Sequence, residues 1–136
     1  MNSKELFEFS KTWLFAWTGN RPEELIKFYT KDALYVDPAH IDGLKGHDQI
    51  LTYFKKLLAV YVDWKWQPIE VFPTKDGFIL KWQCTIPIGQ EIIEEKGVDI
   101  VELEGELISR NEVYFDRTRL MEVVSKRKGI QRLANL

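Results

Sequence analysis

The sequence predicts a single α+β domain, residues 1–136, in which three helices precede a mainly antiparallel sheet and pack on it. Apolar residues recur at helical spacing as far as residue 61, and from residue 64 onward they alternate at every second position, as in strands. A chain of 136 residues can bury one substantial core but is too short for two ordinary domains. No linker or repeat divides it, and the tail from about residue 117 is expected to be peripheral.

Three helices are predicted before the sheet. The first follows a Ser3 cap, and its apolar residues fall at helical spacing: Leu6, Phe9, Trp13, Ala16 and Trp17. The second has Pro22 at an early helical position and is expected to run to about Thr30. The third begins after Gly46 and shows the cleanest helical periodicity in the chain, at Ile50, Leu51, Phe54, Leu57, Leu58 and Tyr61.

Between the second and third helices, residues 33–37 have the composition of a short strand that ends in Asp37-Pro38. Proline keeps the preceding residue out of the helical region, so Asp37 is expected at a turn. An acid at the end of a strand, between aromatic-rich helices and a sheet, is a candidate for chemistry. Asp37 either acts in this way or simply caps the turn, as aspartates often do.

The second half of the chain predicts four strands. The first covers residues 64–71, and its alternation changes phase at Pro68, which indicates a bulge or an edge. The next, residues 78–86, alternates without a fault and places Cys84 among packed apolar residues. The last two, residues 92–103 and 106–115, are expected to form a hairpin around Glu104-Gly105. The four strands together predict one large sheet.

Composition excludes several classes of function. The net charge of −2 leaves no basic surface for nucleic acid. The lone Cys84 cannot form an internal disulfide, which is typical of a reducing compartment. Charged residues near the start argue against a signal peptide, and the longest apolar runs are too short to cross a membrane. We therefore expect a cytoplasmic protein that binds neither nucleic acid nor membrane.

Seven short runs carry a resemblance to a known family. They are AWTGN at 16–20, FYTKDA at 28–33, VDP at 36–38, KGHDQI at 45–50, GVDI at 97–100, GELI at 105–108 and YFD at 114–116. Together they resemble the nuclear-transport-factor-2-like superfamily, in particular the SnoaL-like group with its polyketide cyclase relatives and ketosteroid isomerases. The resemblance spans about residues 6–120. It implies a cone-shaped domain, commonly dimeric through the sheet, with an apolar pocket between the helices and the concave sheet face.

The resemblance also implies roles for two acids. In the ketosteroid isomerases, an Asp matching Asp37 is the general base, and a second, protonated acid at the position of Asp99 donates to an oxyanion. The third member of that triad is a Tyr on the first helix, where this chain has Thr12 or Trp13. The triad is therefore incomplete.

The predicted hairpin gives Asp99 a partner. If Glu104-Gly105 forms the loop, Val101 pairs with Ile108 and Asp99 pairs with Arg110. A three-residue loop would instead place Asn111 opposite Asp99, on the other face. Opposed residues share a face, so with the shorter loop we expect Asp99 to be ionised beside Arg110, with Glu112 and Tyr114 further along. The same charged group would also fit an ordinary salt-bridge row on a wet face.

The expected substrate-binding residues combine aromatic side chains with the hairpin residues: Trp13, Trp17, Tyr35, Tyr53, Trp82, Val101, Glu112 and Tyr114. Each aromatic residue could line a pocket or fill the core. His40 and His47 have no acid or cysteine at metal-ligand spacing, so no metal site or other cofactor is predicted.

Two functional hypotheses follow. One is a small enzyme, an isomerase or cyclase, that removes a proton next to a carbonyl of an apolar substrate. Asp37 would be the base, and Arg110, with Tyr114 as a further candidate, would stabilise the enolate. The other is a non-catalytic ligand-binding or dimerisation module. In both cases the expected partners are a small apolar molecule and a second copy of the chain, paired through an outer apolar strip of Leu107, Val113, Phe115, Val98 and Ile100.

Overall fold

The structure, a computed structural model, describes residues 1–134 of the chain. Its elements in order are α1 (Ser3–Phe15), α2 (Pro22–Ile26), β1 (Tyr29–Asp37), β2 (His40–Lys45), α3 (Gly46–Val60), β3 (Lys65–Pro73), β4 (Gly77–Ile88), β5 (Glu91–Glu104), β6 (Leu107–Tyr114) and α4 (Thr118–Ala134). Helices packed on a six-stranded sheet confirm the predicted α+β class. Among the described residues, no helix combines the length and apolar character needed to cross a membrane.

The six strands form one sheet in the order β2-β1-β6-β5-β4-β3. Every neighbouring pair is antiparallel except β1 and β6, which run parallel. The predicted irregularity in the first long strand is confirmed, because the β3–β4 register shifts between Pro68 and Glu70. Proline has no amide hydrogen for the ladder, so the break falls where a ladder bond is already missing.

The helical region differs from the prediction at three places. The cap of α1 is Asn2, which exchanges hydrogen bonds with Glu5 in a capping box, and not Ser3. Helix α2 ends at Ile26, and Tyr29 already begins β1, where the helix was expected to continue. Residues after the Asp37 turn form strand β2 instead of a loop, with Asp37 opposite His40.

Helices α1 and α3 cover one face of the sheet, and this inner face holds the core. Alternation along β4 buries its even-numbered apolar residues from Phe78 to Ile86, as predicted. Helix α4 occupies the tail that was expected to be peripheral. Its Leu120 is 4% exposed, so the start of this helix belongs to the core.

The last hairpin has a different register from the predicted one. Its loop is Gly105-Glu106, with Gly105 at φ +62°, as a type II′ turn requires, and Glu104 pairs with Leu107. A bulge follows, since Leu103 pairs with Ile108 but Glu102 pairs with Arg110. Ser109 is the extra residue, and its hydroxyl donates to the carbonyl of Glu102 at 3.3 Å.

This bulge reverses the faces of β6 beyond it. Asn111 and Val113 point into the core, whereas Arg110 lies on the outer face. The predicted pairing of Asp99 with Arg110 is therefore wrong, because Asp99 lies opposite Val113. The predicted outer strip is also wrong in part, since Val113 is 7% exposed on the inner side.

Candidate active site

A cavity of about 240 Å³ lies between the inner sheet face and helices α1, α3 and α4. Its wall is mostly aromatic and aliphatic, with two aspartates and one arginine. The lining residues are Leu14, Trp17, Tyr35, Asp37, Pro38, Ala39, Tyr53, Leu57, Tyr61, Trp64, Trp66, Trp82, Asp99, Val113, Phe115, Arg117, Leu120 and Met121. An apolar cavity with a few polar groups converging on it is the usual form of a small-molecule site.

Six of the predicted site residues line this cavity: Asp37, Asp99, Trp17, Tyr35, Tyr53 and Trp82. Trp13 and Val101 are fully buried in the core and do not reach it. Arg110, Glu112 and Tyr114 lie on the outer face and form a charged row there, in which Arg110 contacts Glu102 at 2.6 Å and also contacts Glu112. These three residues cannot touch a ligand in the cavity, because the sheet separates them from it.

Asp37 sits at the turn between β1 and β2 and accepts four hydrogen bonds. Its Oδ1 accepts from the backbone amides of Ala39 at 2.9 Å and His40 at 3.0 Å, which closes the turn. Its Oδ2 accepts from the hydroxyls of Tyr35 at 3.0 Å and Tyr53 at 2.5 Å. A carboxylate offers about four acceptor positions. All of them are in use, so Asp37 caps the turn and also anchors two phenols on the cavity wall.

Asp99 lies on the central strand β5 and has two hydrogen-bond partners among the described residues. Its Oδ1 accepts from Trp82 Nε1 at 2.8 Å, and its Oδ2 accepts from Asn111 Nδ2 at 3.0 Å. The side chain is 3% exposed, and this burial raises its pKa to about 7 against the opposing effect of the two hydrogen bonds. The charge of Asp37 raises it further. Asp99 is thus an acid that both holds and releases a proton near neutral pH, and not the fully ionised partner of an arginine.

A chain of buried hydrogen bonds holds Asp99 from behind. Trp13 Nε1 donates to the Tyr29 hydroxyl at 3.3 Å, and that hydroxyl donates to Asn111 Oδ1 at 2.8 Å. The amide of Asn111 then donates to Asp99. Sequence reasoning missed Asn111 and Tyr29, since the bulge that turns Asn111 inward is invisible in the alternation of β6. The signal available was an asparagine in mid-strand, which is disfavoured there.

The position of Trp82 depends on a glycine. Gly97 is its direct partner on β5, and a Cβ atom there would lie 2.5 Å from the Trp82 ring. The missing side chain lets the indole lie over the neighbouring strand and direct Nε1 to Asp99.

Further aromatic residues complete the wall. The Trp66 ring packs edge-to-face on the Trp82 ring, with 4.7 Å between the ring centroids, and the Phe115 ring does the same at 5.4 Å. The Trp64 ring packs edge-to-face on Trp66 and stacks on Tyr61, with 4.9 Å between the ring centroids in each pair. These residues were predicted as strand and helix positions but not as site residues, because they come from separate parts of the chain and meet only in the tertiary structure.

Comparison with known proteins places the chain in a family. The family model described as SnoaL-like domain matches residues 11–111. The sequence matches none of the curated proteins. Solved structures of similar fold are numerous, but their sequence identity to this chain is low.

Three of these structures illustrate the likeness. A protein of ketosteroid isomerase-like fold from Catenulispora acidiphila, in complex with trimethylamine, is 21% identical with a TM-score of 0.71, over 80% of this chain and 85% of that one. TerC co-crystallised with polyporic acid is 14% identical with a TM-score of 0.73, over 88% of this chain and 98% of TerC. A putative SnoaL-like polyketide cyclase from Jannaschia is 11% identical with a TM-score of 0.74, over 90% of this chain and 93% of that one. The chain belongs to the SnoaL-like domain family, and it shares its fold with solved structures of ketosteroid isomerase-like and SnoaL-like proteins.

Proposed function

We propose that the cavity binds a small apolar carbonyl compound and moves a proton at the carbon next to the carbonyl, as an isomerase or cyclase would. The observation that carries this proposal is Asp99, a buried carboxyl on the wall of an apolar cavity with a pKa of about 7. A general acid or base works best when its pKa lies near the working pH. In a cavity lined by aromatic rings, the substrate would be largely separated from water.

We assign the proton transfer to Asp99 and not to Asp37, which was the base expected from the resemblance. Four donors occupy the acceptor positions of Asp37, so a substrate proton would have to displace one of them. Asp99 accepts two hydrogen bonds and keeps the remaining acceptor positions of its carboxylate. Arg110, the other expected group, lies on the opposite face of the sheet.

In the proposed reaction, ionised Asp99 removes a proton from the carbon next to the carbonyl, and the electron pair of that C–H bond moves onto the carbonyl oxygen as an enolate. The donor that we assign to this oxygen is the Tyr53 hydroxyl on the same cavity wall. Its single proton goes to Asp37 Oδ2 without substrate and would turn to the enolate oxygen when substrate is bound. In an isomerisation, Asp99 returns its proton to a different carbon of the conjugated system. In an aldol-type closure, the enolate carbon attacks a second carbonyl, and the new alkoxide takes the proton from Asp99.

The comparisons support this substrate class. One structural neighbour is a putative polyketide cyclase, and another was co-crystallised with polyporic acid.

The test is deuterium exchange into a model ketone. 2-Tetralone has acidic hydrogens next to its carbonyl, and their replacement in D₂O is followed by NMR against the rate without enzyme. We expect the protein to accelerate exchange, with a rate that rises through about pH 7 as Asp99 ionises. Asp99→Asn should abolish the acceleration, Asp37→Asn should retain part of it, and Glu102→Gln on the outer face should leave it unchanged. Acceleration that survives in Asp99→Asn would refute the assignment.

A non-catalytic binding module is the second candidate. The cavity of about 240 Å³ is smaller than the roughly 300–1,000 Å³ of pockets for drug-sized ligands. The aromatic rings fill much of the space that a large substrate would need. Tight binding of a small ketone without any exchange would favour this candidate.

We also propose a symmetric dimer through the outer face of the sheet, and a cytoplasmic location. Val98, Leu107 and Tyr114 on the last two strands are 37%, 42% and 47% exposed, respectively. Apolar surface of this kind usually marks an interface. Cys84 is a free, buried thiol, which fits a reducing compartment.

A further inference from the structure

Arg117 stands at the entrance of the cavity. It lies between the end of β6 and the start of α4, and its side chain is partly buried. It lines the cavity together with Phe115 and Met121, and the same three residues also line a shallow surface groove beside α4. A residue shared by cavity and groove marks the border where a ligand would enter.

The backbone of this segment is fixed. The amide of Met121 donates to the carbonyl of Arg117 at 2.9 Å, which is the first helical bond of α4. The neighbouring Asp116 accepts from the amide of Thr118 at 2.9 Å and from its hydroxyl at 2.6 Å. The nearest acid in sequence is therefore engaged with Thr118 and forms no ion pair with Arg117.

The guanidinium of Arg117 has no ion pair or hydrogen bond with any residue that the structure describes. Two other arginines differ in this respect, since Arg21 donates to the carbonyls of Phe15 and Thr18, and Arg110 contacts two glutamates. Two of the groups within reach of the Arg117 charge are phenols of the cavity wall, and one of them, Tyr53, is bonded to the carboxylate of Asp37. Its charge acts on Tyr53 and Tyr61, where it lowers the phenol pKa while burial raises it.

We infer that the ligand of this cavity carries a carboxylate, which Arg117 binds at the entrance while the cyclic body of the molecule lies among the aromatic rings. This inference rests on the proposed function, because it specifies the molecule that the cavity takes. A guanidinium binds a carboxylate through two parallel hydrogen bonds, and partial burial strengthens such a pair. The Tyr61 hydroxyl is a further donor on the same wall.

Charge also sets the orientation of the ligand. Asp37 lines the same cavity and is 7% exposed, and its carboxylate would repel an acidic group placed beside it. The acidic group is therefore expected at Arg117, and the part of the ligand that carries the reacting carbonyl lies toward Asp99. In this orientation the carbonyl that reacts is a different group from the carboxylate that anchors the molecule.

The test compares two probes of the same shape, 2-naphthoate and 2-naphthamide, by calorimetric titration. We expect wild-type protein to bind the naphthoate at least about tenfold more tightly, a difference of about 1.4 kcal/mol. Arg117→Gln should remove this preference and leave the affinity for the amide unchanged, and Arg117→Lys should keep part of it. Arg119→Gln is the matched control, because this exposed arginine lies two residues away at the start of the same helix.

The outcomes separate the two proposals. If wild-type protein binds both probes equally, the carboxylate assignment is refuted and the proposed binding function stands. If neither probe binds, the proposed binding function fails, and the inference fails with it. If Arg119→Gln lowers the preference as much as Arg117→Gln does, general surface charge is responsible and the site at Arg117 is refuted.

Discussion

Raising the pH should destabilise this protein through Asp99. The pKa of this carboxyl rises from 3.8 to about 7 on folding, first because of burial and then because of the charge of Asp37. The folded protein therefore holds the proton more tightly than the unfolded chain does. This contribution to stability is complete below about pH 4 and is lost as the pH rises through about 7.

The magnitude follows from the change in pKa. Each unit of pKa corresponds to about 1.4 kcal/mol, so the change at Asp99 amounts to about 4 kcal/mol between about pH 4 and pH 8. The carboxyl is almost completely buried, so solvent screens little of this effect. A small domain has a total free energy of unfolding of about 5–15 kcal/mol. One carboxyl would thus remove a large share of the stability at alkaline pH.

The contribution of Asp99 is isolated by urea unfolding of the wild type and of Asp99→Asn, each at about pH 4 and at about pH 8. Other titrating groups act on both proteins and cancel in the difference between their free energies of unfolding. We expect this difference to move by about 4 kcal/mol in favour of the variant as the pH rises. Asp63→Asn, an exposed carboxylate before β3, is the control and should show no such movement. A difference for Asp99→Asn that stays constant with pH would refute the reasoning.

Three further substitutions test the cavity wall and the assembly. Gly97→Ala places a Cβ atom 2.5 Å from the Trp82 ring. It should lower the free energy of unfolding, measured by heat or urea, by on the order of 3 kcal/mol. An unchanged Tm would contradict the close contact between Gly97 and Trp82. Leu120→Ala should lower the free energy of unfolding by about 2–5 kcal/mol. It should also weaken binding of 2-naphthoate, since Leu120 is the part of α4 that lines the cavity. An unchanged free energy of unfolding would show that the start of α4 is peripheral. In light scattering, the wild type should have twice the chain mass, and Val98→Lys should have the monomer mass of 16.1 kDa. A wild-type mass of 16.1 kDa would exclude the dimer.

Local chemistry was sufficient to predict much of this fold from the sequence. The helical spacing of α3 and the alternation of β4 each report which side chains are buried, and burial is what fixes such elements. The bulge in β3 and the turn at Asp37 were also predictable, because Pro68 and Pro38 restrict the backbone at those points. The end of α2 was not predictable, since Tyr29 pairs with β6, a strand about 80 residues away along the chain.

The faces of the last hairpin were decided only in three dimensions. Alternation along a strand has a period of two, so a single extra residue moves every later side chain to the opposite face. Ser109 is that residue, and it exchanges Arg110 for Asn111 on the inner side. The only sign near Ser109 in the sequence is the mid-strand Asn111, which does not by itself specify a bulge. The energy that selects it comes from distant partners, since inward Asn111 bonds to Tyr29, 82 residues away, and to Asp99. The same contacts leave Asp99 without an arginine, and so its proton affinity is a property of the tertiary structure.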